Sequence, residues 1–394
     1  YPYFYPMVKI LHTSDWHMGH TLYNYDRTEE QVSMLQQIAD IVQEHKPDLF
    51  LLSGDVYHTA QPSAAVQTLF TNALMEIHDA NPSMVIVMTA GNHDSGAKHD
   101  IFKIPWKALN VHTFGNIDVS KLEDLIVEIP GKASVIAVPY IHQRNLPKGF
   151  YQNLLDKAIE NDDAQLPIIM MAHTTVKGCD YSGHDNASEY TVGSIDSYDL
   201  EDMGTGYDYL ALGHIHHAQF VRGGNRRVRY SGAPIPISFD ENYPHSVSIV
   251  EIDKHGETPK VNDIEISNCH PLVTLPTEGA TTWEKAKDLL ANFPDDIEAY
   301  IRLNVLVEDF LPPEANVEAK NITREKKCRF CLINAQRLKS RSEDAKTMSI
   351  QEFKEEKPME IARRYAEDLG VVFDDDMKEL FQETLDSIEE DDRK

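Results

Sequence analysis

Five short clusters between Asp15 and His216 carry side chains of the kinds that hold divalent ions. They are Asp15-Trp16-His17, Gly54-Asp55, Gly91-Asn92-His93-Asp94, Ala172-His173 and Gly213-His214-Ile215-His216. Carboxylate, amide oxygen and imidazole in one set suit manganese, iron or zinc better than calcium, which takes oxygen ligands only. One carboxylate, best placed at Asp55, can bridge two ions about 3.5–4 Å apart. Two such ions bring four positive charges and the two aspartates return two. A site of about +2 draws phosphate whatever the charge of the chain around it. A water between the ions is acidified toward neutral pH and attacks phosphorus in line, while the ions spread the charge that develops on its oxygens. Taken singly, each cluster has a plainer reading. Asp-x-His suits a turn or a cap, and Gly-Asp is commoner still. Gly-Asn-His-Asp and Gly-His-x-His are rarer, and five clusters in this order make coincidence a poor account. His12, His45, His78, His99, His112 and His142 lack such neighbours and read as surface or packing residues.

What must position the clusters is a run of strands. Val8–Thr13, Asp48–Ser53, Met84–Thr89, Ile168–Ala172 and Tyr207–Leu212 are short, aliphatic and bounded by polar turns, as buried strands are. Helical patterns alternate with the first three. Glu29–Glu44 places Val32, Leu35, Ile38, Ala39 and Val42 on one face, and Ala64–His78 places Val66, Phe70, Ala73, Leu74 and Ile77. Strand–helix alternation predicts an α/β fold with right-handed crossovers. Each cluster then follows a strand, and ligands of open α/β sheets gather outside the carboxyl ends of strands. After Leu212 the texture turns to hairpins, with Gly223-Gly224-Asn225 as a turn and Ser246–Ile252 as a strand. Pro271 and Pro276 mark a boundary, which divides the chain into residues 7–270, a small α/β module at 271–345 and a tail at 346–394. The tail reads as amphipathic helices, with Ile361, Tyr365 and Leu369 on one stripe and Met377, Leu380, Phe381, Leu385 and Ile388 on another.

Composition sets looser bounds. The 394 residues suffice for one large domain and a smaller one. No run of 18 apolar residues and no charged start ahead of an apolar stretch argue against a membrane span or a secretory signal. Tyr1–Pro6 precede Met7 and read as an upstream extension outside the fold. Cys179, Cys269, Cys328 and Cys331 are too scattered for a disulfide framework, and a reducing cytoplasm is the simpler setting. Cys328 and Cys331 form one CxxC with no second pair to complete a zinc site. They fall on a strand-like segment, where positions three apart face opposite ways. A formal charge of −27 disfavours nucleic-acid binding unless metals and local basic groups supply the positive field.

The order D-x-H, GD, GNHD, H, GHxH resembles the calcineurin-like metallophosphoesterase superfamily, and more narrowly the nuclease subunits of bacterial SbcCD complexes. Thr13–Gly19, Gly91–Ser95, Gly213–His216 and above all Tyr230–Phe239 (YSGAPIPISF) carry the narrower likeness, the last without any metal chemistry of its own. The resemblance runs from about Met7 to the C-terminus and is strongest before Asp253. It implies a β-sandwich flanked by helices, a capping module that binds DNA, and C-terminal helices that dock a coiled-coil ATPase. Asp15, His17, Asp55 and His216 would hold one ion, and Asp55, Asn92, His173 and His214 the other. Manganese is the expected metal, with magnesium or zinc as alternatives. His93 would protonate the leaving 3′ oxygen, steered by Asp94, and His58 would help to position the strand. Exonuclease and endonuclease activity on DNA, and a homodimer formed through helices such as Ala64–His78, are further expectations. The same core serves phosphomonoesterases and cyclic-nucleotide phosphodiesterases, but a small substrate would not need the module after Pro271. The role of Cys179–Ser194 stays open.

Overall fold

Runs of β-branched and aliphatic residues ending at Gly, Asn or Asp form two six-stranded sheets that face each other. In the computed structural model the described residues are 7–160, 166–182, 197–337 and a few positions between 359 and 382. The first sheet has parallel strands β1 (Val8–Thr13), β2 (Leu49–Ser53), β3 (Val85–Thr89) and β4 (Val111–Phe114). The second contains β5 (Ile126–Ile129), β6 (Ala133–Ala137), β7 (Ile168–His173), β10 (Tyr209–Gly213), β11 (Gln219–Phe220) and β12 (Val228–Tyr230), in the order β11-β12-β10-β7-β6-β5. Between them in sequence, β8 (Thr175–Val176) pairs with β9 (Ser197–Tyr198). Two antiparallel strands, β13 (Ser246–Ile252) and β14 (Lys260–Glu265), then return to the first sheet beside β1.

The period-two geometry of a strand explains why these segments are apolar at nearly every position. Ile10, Leu49, Leu51 and Val87 point between the sheets, where they meet Ile169, Met171 and Ala211. Their neighbours Leu11, Phe50, Leu52 and Ile86 point outward, under helices α1 (Thr28–His45) and α2 (Ala64–Ala80). Leu35, Ile38 and Val42 of α1 are buried there as expected, whereas Val32 is 47% exposed and Met34 and Ile41 take its place. On α2, Ser63 caps the first turn, its hydroxyl accepting from the Val66 amide. Phe70 and Leu74 are 1% and 3% exposed in the same core. That face of α2 is therefore spent on the sheet and cannot also serve a second copy of the chain. Helices α3 (Gly96–Lys107) and α4 (Phe150–Glu160) complete the large domain. The sequence pattern did not reveal α3, because Pro105 interrupts it and only His99 of that helix is buried; α4 buries a regular stripe of Phe150, Tyr151, Leu154, Leu155 and Ala158 that the reading passed over.

From Leu272 the chain builds a separate parallel sheet of β15 (Leu272–Leu275), β16 (Tyr300–Val307) and β17 (Arg329–Arg337). It packs under α5 (Trp283–Ala291) and α6 (Ala315–Thr323) around its own core of Trp283, Leu290, Ile301, Leu303 and Phe330. Cys328 lies in that core, while Cys331 packs against Leu22, Phe239 and Tyr300 on the other side. The CxxC pair therefore does not converge. The module is tied to the large domain through residues 22–30. The Tyr25 hydroxyl donates to the Phe330 carbonyl (3.0 Å), the Tyr300 hydroxyl to the Asp26 carbonyl (3.3 Å), and buried Arg27 pairs with buried Glu30 at 3.2 Å. No helix among the described residues is long and apolar enough to cross a membrane. Most of the amphipathic tail, and residues 183–194 of the Cys179–Ser194 stretch, lie outside the described residues.

Candidate metal centre

Strands β1, β2 and β3 of one sheet and β7 and β10 of the other end on a common rim, and the chain turns sharply after each. Asp15, His17, Asp55 and His214 all have left-handed backbone, with φ of 54°, 43°, 49° and 97°. Such a conformation costs a non-glycine residue about 1–3 kcal/mol and persists only where the surroundings over-determine it. Here the β1 and β2 turns hold each other: the Asp15 amide donates to the Gly54 carbonyl and the His17 amide to the Asp55 carbonyl, both at 3.0 Å. The motif glycines are required by close approach. A Cβ on Gly54 would stand 2.1 Å from His173 Nδ1, and one on Gly91 2.1 Å from Asp55 Oδ1.

These turns bring the seven expected ligand residues together. Asp55 Oδ2 lies 3.7 Å from His17 Nε2 on one side and 3.3 Å from His173 Nε2 on the other, and its Oδ1 accepts from the His93 amide at 2.9 Å. Asp15, His17 and His216 present ligand atoms within 4.8 Å of one another, as do Asp15, Asp55 and His173. Asn92 Oδ1 is 3.0 Å from both His173 Nε2 and His214 Nδ1. Asp15, Asp55, His17, His173 and His216 are buried, while Asn92, His214, His93 and His58 line the more open rim.

Charge in this depth is strongly perturbed. Burial holds Asp15 above the usual carboxylate range. Burial would raise Asp55 too, but the His173 imidazole beside it wins and holds it well below that range. Burial would lower His173, yet Asp55 pushes it up to about 9. His216 is likewise pushed up to about 9 against burial, by its hydrogen bond to Glu241. Burial keeps His17 well below its ordinary value.

The calcineurin-like phosphoesterase model matches residues 8–218, which contain all five clusters. The SbcCD nuclease subunit of Rhodobacter capsulatus is 31% identical over 304 residues, covering 69% of this chain and 72% of that one. This chain is a calcineurin-like phosphoesterase of the SbcCD nuclease family. The Escherichia coli K12 protein of the same name is 28% identical over 68% of this chain and 70% of its own length. The Bacillus subtilis one is 26% identical over 98% of this chain and all of its own. The α/β fold expected from the strand pattern, and the sandwich of sheets that the resemblance implied, are the fold of the phosphoesterase domain.

A phosphoesterase of this family uses divalent metals, and the donor set fits them. His17 Nε2 is buried without a hydrogen-bond partner and faces Asp55 Oδ2. His173 Nδ1 donates to the Ser53 carbonyl at 2.8 Å and His216 Nδ1 to Glu241 Oε1 at 3.1 Å, which leaves each Nε2 for the pocket. Two carboxylates, four imidazoles and one amide oxygen are a mixed oxygen and nitrogen set suited to a borderline divalent ion.

The three residues expected to act in chemistry sit differently. His93 lies on the rim, its ring centroid 4.9 Å from that of His17, and its Nδ1 pairs with the His58 carbonyl at 2.9 Å. The His58 ring stacks on His93 and lies 3.4 Å from His17 through Nδ1. Asp94 does not meet the His93 ring. Its carboxylate accepts from the amides of Val56, Tyr57 and Gly91 at 2.9–3.0 Å, so it clamps the β2 and β3 turns together. Three amide donors outcompete one imidazole, and any influence of Asp94 on His93 runs through the backbone. The group that the His93 ring meets instead is the His58 carbonyl.

Sequence reading missed several supporting residues. Glu241 lies 25 positions after His216 with no motif to flag it. Ser14 donates to Asp15 and meets Ser231 at 2.8 Å, which gives the YSGAPIPISF run a place against the site. His99, read as a surface or packing residue, is buried with Nε2 3.6 Å from Asp94 Oδ2. His20 packs edge-on to His58 at 4.7 Å. His12 is a packing residue, buried against the Tyr209 hydroxyl.

Proposed function

We propose that this phosphoesterase is the DNA-hydrolysing component of an SbcCD-type complex, a metal-dependent phosphodiesterase with two ions on the rim. The carrying observation is the Asp55 carboxylate set between His17 Nε2 at 3.7 Å and His173 Nε2 at 3.3 Å, which supports a bridging role. Asp15, His17, Asp55 and His216 would hold one ion, and Asp55, Asn92, His173 and His214 the other. Bound there, two divalent ions supply an acidified water and neutralise charge at phosphorus. Manganese suits the mixed donors, with magnesium or zinc as alternatives. Asp55 also receives the His93 amide, so the residue that would position the metals also fixes the turn that carries the acid. His93, with Nδ1 engaged by the His58 carbonyl, has Nε2 to deliver a proton to the leaving 3′ oxygen. The His58 ring, stacked on His93, limits how that acid can tilt.

Residues 7–270 form the nuclease domain in this reading, 271–345 a capping module that binds DNA, and 346–394 the helices that dock a coiled-coil ATPase. Arg302 supports the capping role: it pairs with Asp240 and donates to the Phe239 carbonyl, which joins β16 to the loop beside His216. Relatives named as a subunit of the SbcCD nuclease support a nucleic-acid substrate and a partner subunit; the cytoplasmic setting rests on the scattered cysteines. A homodimer would use α3 rather than the buried face of α2, since Ile101 and Ile104 are 69% and 86% exposed there. Light scattering that gives one chain mass, unchanged by Ile104→Glu, would exclude it.

The deciding experiment incubates the protein and manganese with a labelled DNA hairpin, p-nitrophenyl phosphate or a cyclic dinucleotide. Hairpin cleavage that a chelator stops is expected. Turnover of the small esters with the hairpin left intact would instead favour the phosphomonoesterase or cyclic-nucleotide reading.

A further inference from the structure

We propose that Glu241 is a positioning residue that orients His216 and makes the two ion sites unequal, an inference that rests on the two-metal reading of the rim. Glu241 follows the YSGAPIPISF run, and its side chain is completely buried. One oxygen accepts from His216 Nδ1 at 3.1 Å. The other accepts from the Ile237 amide at 3.3 Å and lies 3.6 Å from His245 Nε2. His245 is itself held by the Ala233 carbonyl at 2.8 Å, and the Glu241 amide donates to the Ser238 carbonyl at 3.3 Å. The loop is thereby closed on itself around one carboxylate. A carboxylate is not buried in this way without cost unless its charge is used, and here it faces the outward nitrogen of a candidate ligand.

The asymmetry comes from comparing one imidazole in each ion site. His173 has a neutral backbone carbonyl behind its Nδ1, whereas His216 has a carboxylate. Either acceptor fixes the Nδ1–H tautomer and aims Nε2 at the ion. The carboxylate also makes the ring a stronger donor, because it shares the Nδ1 proton more fully. The ion on Asp15, His17 and His216 is accordingly the tighter of the two. Asp240, next in the chain, is the partner of Arg302 on β16, so the same loop meets the small module on one side and a ligand on the other.

Manganese titration of the full chain by calorimetry tests this, with each variant's melting temperature recorded before metal is added. Glu241→Gln keeps an oxygen for His216 but removes the charge. It should weaken the tighter binding step about 10–100-fold, the usual scale for an outer carboxylate, and leave the other step within about threefold. Glu241→Asp, which retains the charge on a shorter arm, should recover part of that loss. If the glutamine variant does not fold, the aspartate variant decides alone: a weakened tight step supports the inference and two unchanged steps overturn it. Equal weakening of both steps by Glu241→Gln would also overturn it. His216→Ala separates the two levels. If it loses an ion while Glu241→Gln binds both as before, only this inference fails. If it too binds both as before, His216 is no ligand and the metal reading fails with it.

Discussion

Asp55 shows how much one carboxylate is asked to do. It faces two imidazoles with one oxygen, receives the His93 amide with the other, and sits in a left-handed turn that Gly54 and Gly91 make room for. Asp55→Asn should keep the fold and lose at least one of two manganese ions by elemental analysis, with metal-dependent cleavage abolished. Two ions retained by the variant would remove the bridging role. His93→Gln should differ in kind: both ions kept, and the cleavage rate down by at least about a hundredfold. Loss of metal in that variant would make His93 a ligand instead of an acid. The raised imidazoles give a sign for pH. His173 and His216, both moved from 6.5 to about 9, stabilise the metal-free chain fully below 6.5 and lose that contribution as pH rises through about 9. Metal needs both rings neutral, so protons and manganese compete. The gain in melting temperature on adding manganese should therefore grow with pH between about 6.5 and 9. A gain that is flat or shrinks over that range would show that manganese does not displace protons from these two imidazoles.

At the scale of elements, the rim exists because two sheets end together, and the module is set against it by a few buried polar contacts. Arg27 and Glu30, each 1% exposed, sit where α1 begins. Arg27 also donates to the Pro236 carbonyl at 2.7 Å and lies over the Tyr300 ring at 5.8 Å, so it joins α1, the loop after β12 and the small module. His270, buried between Glu30 at 3.3 Å and Glu298 at 2.9 Å, extends the same joint. Burying an ion pair is not by itself stabilising, but removing one partner strands the other. Arg27→Met should cost about 3–5 kcal/mol, measured by urea unfolding. A loss under about 1 kcal/mol would mean that water or His270 compensates Glu30 and that the joint is soft.

For the whole molecule, the excess of 64 acidic over 37 basic residues has to be reconciled with a polyanionic substrate. Two divalent ions at the rim would reverse the sign locally, and screening limits the reach of more distant charge to about 8–10 Å at physiological salt. The tail should be dispensable for chemistry. Deleting residues 349–394 is expected to leave manganese-dependent cleavage of single strands and to abolish co-purification with the coiled-coil ATPase. A truncated chain that is insoluble or inactive on every substrate would place the tail in the catalytic fold.

The candidate ligands, their order and the strands that carry them were legible in the chain, because each stands next to an apolar run whose period and length announce a buried strand. Period and spacing are local properties, and five local signals in series suffice to name a rim. What they do not carry is anything decided by side chains distant in sequence. Asp94 was paired with its neighbour His93, but the fold offers it three amides from two other turns. The apolar face of α2 suited either a second copy of the chain or the sheet beneath it, and only the fold shows that the first sheet buries Phe70 and Leu74. Glu241 and His99 had no pattern around them at all, since what each touches is set by packing between elements. A motif states which groups are present. Which atom each group faces is settled only when the sheets close and most buried donors find acceptors.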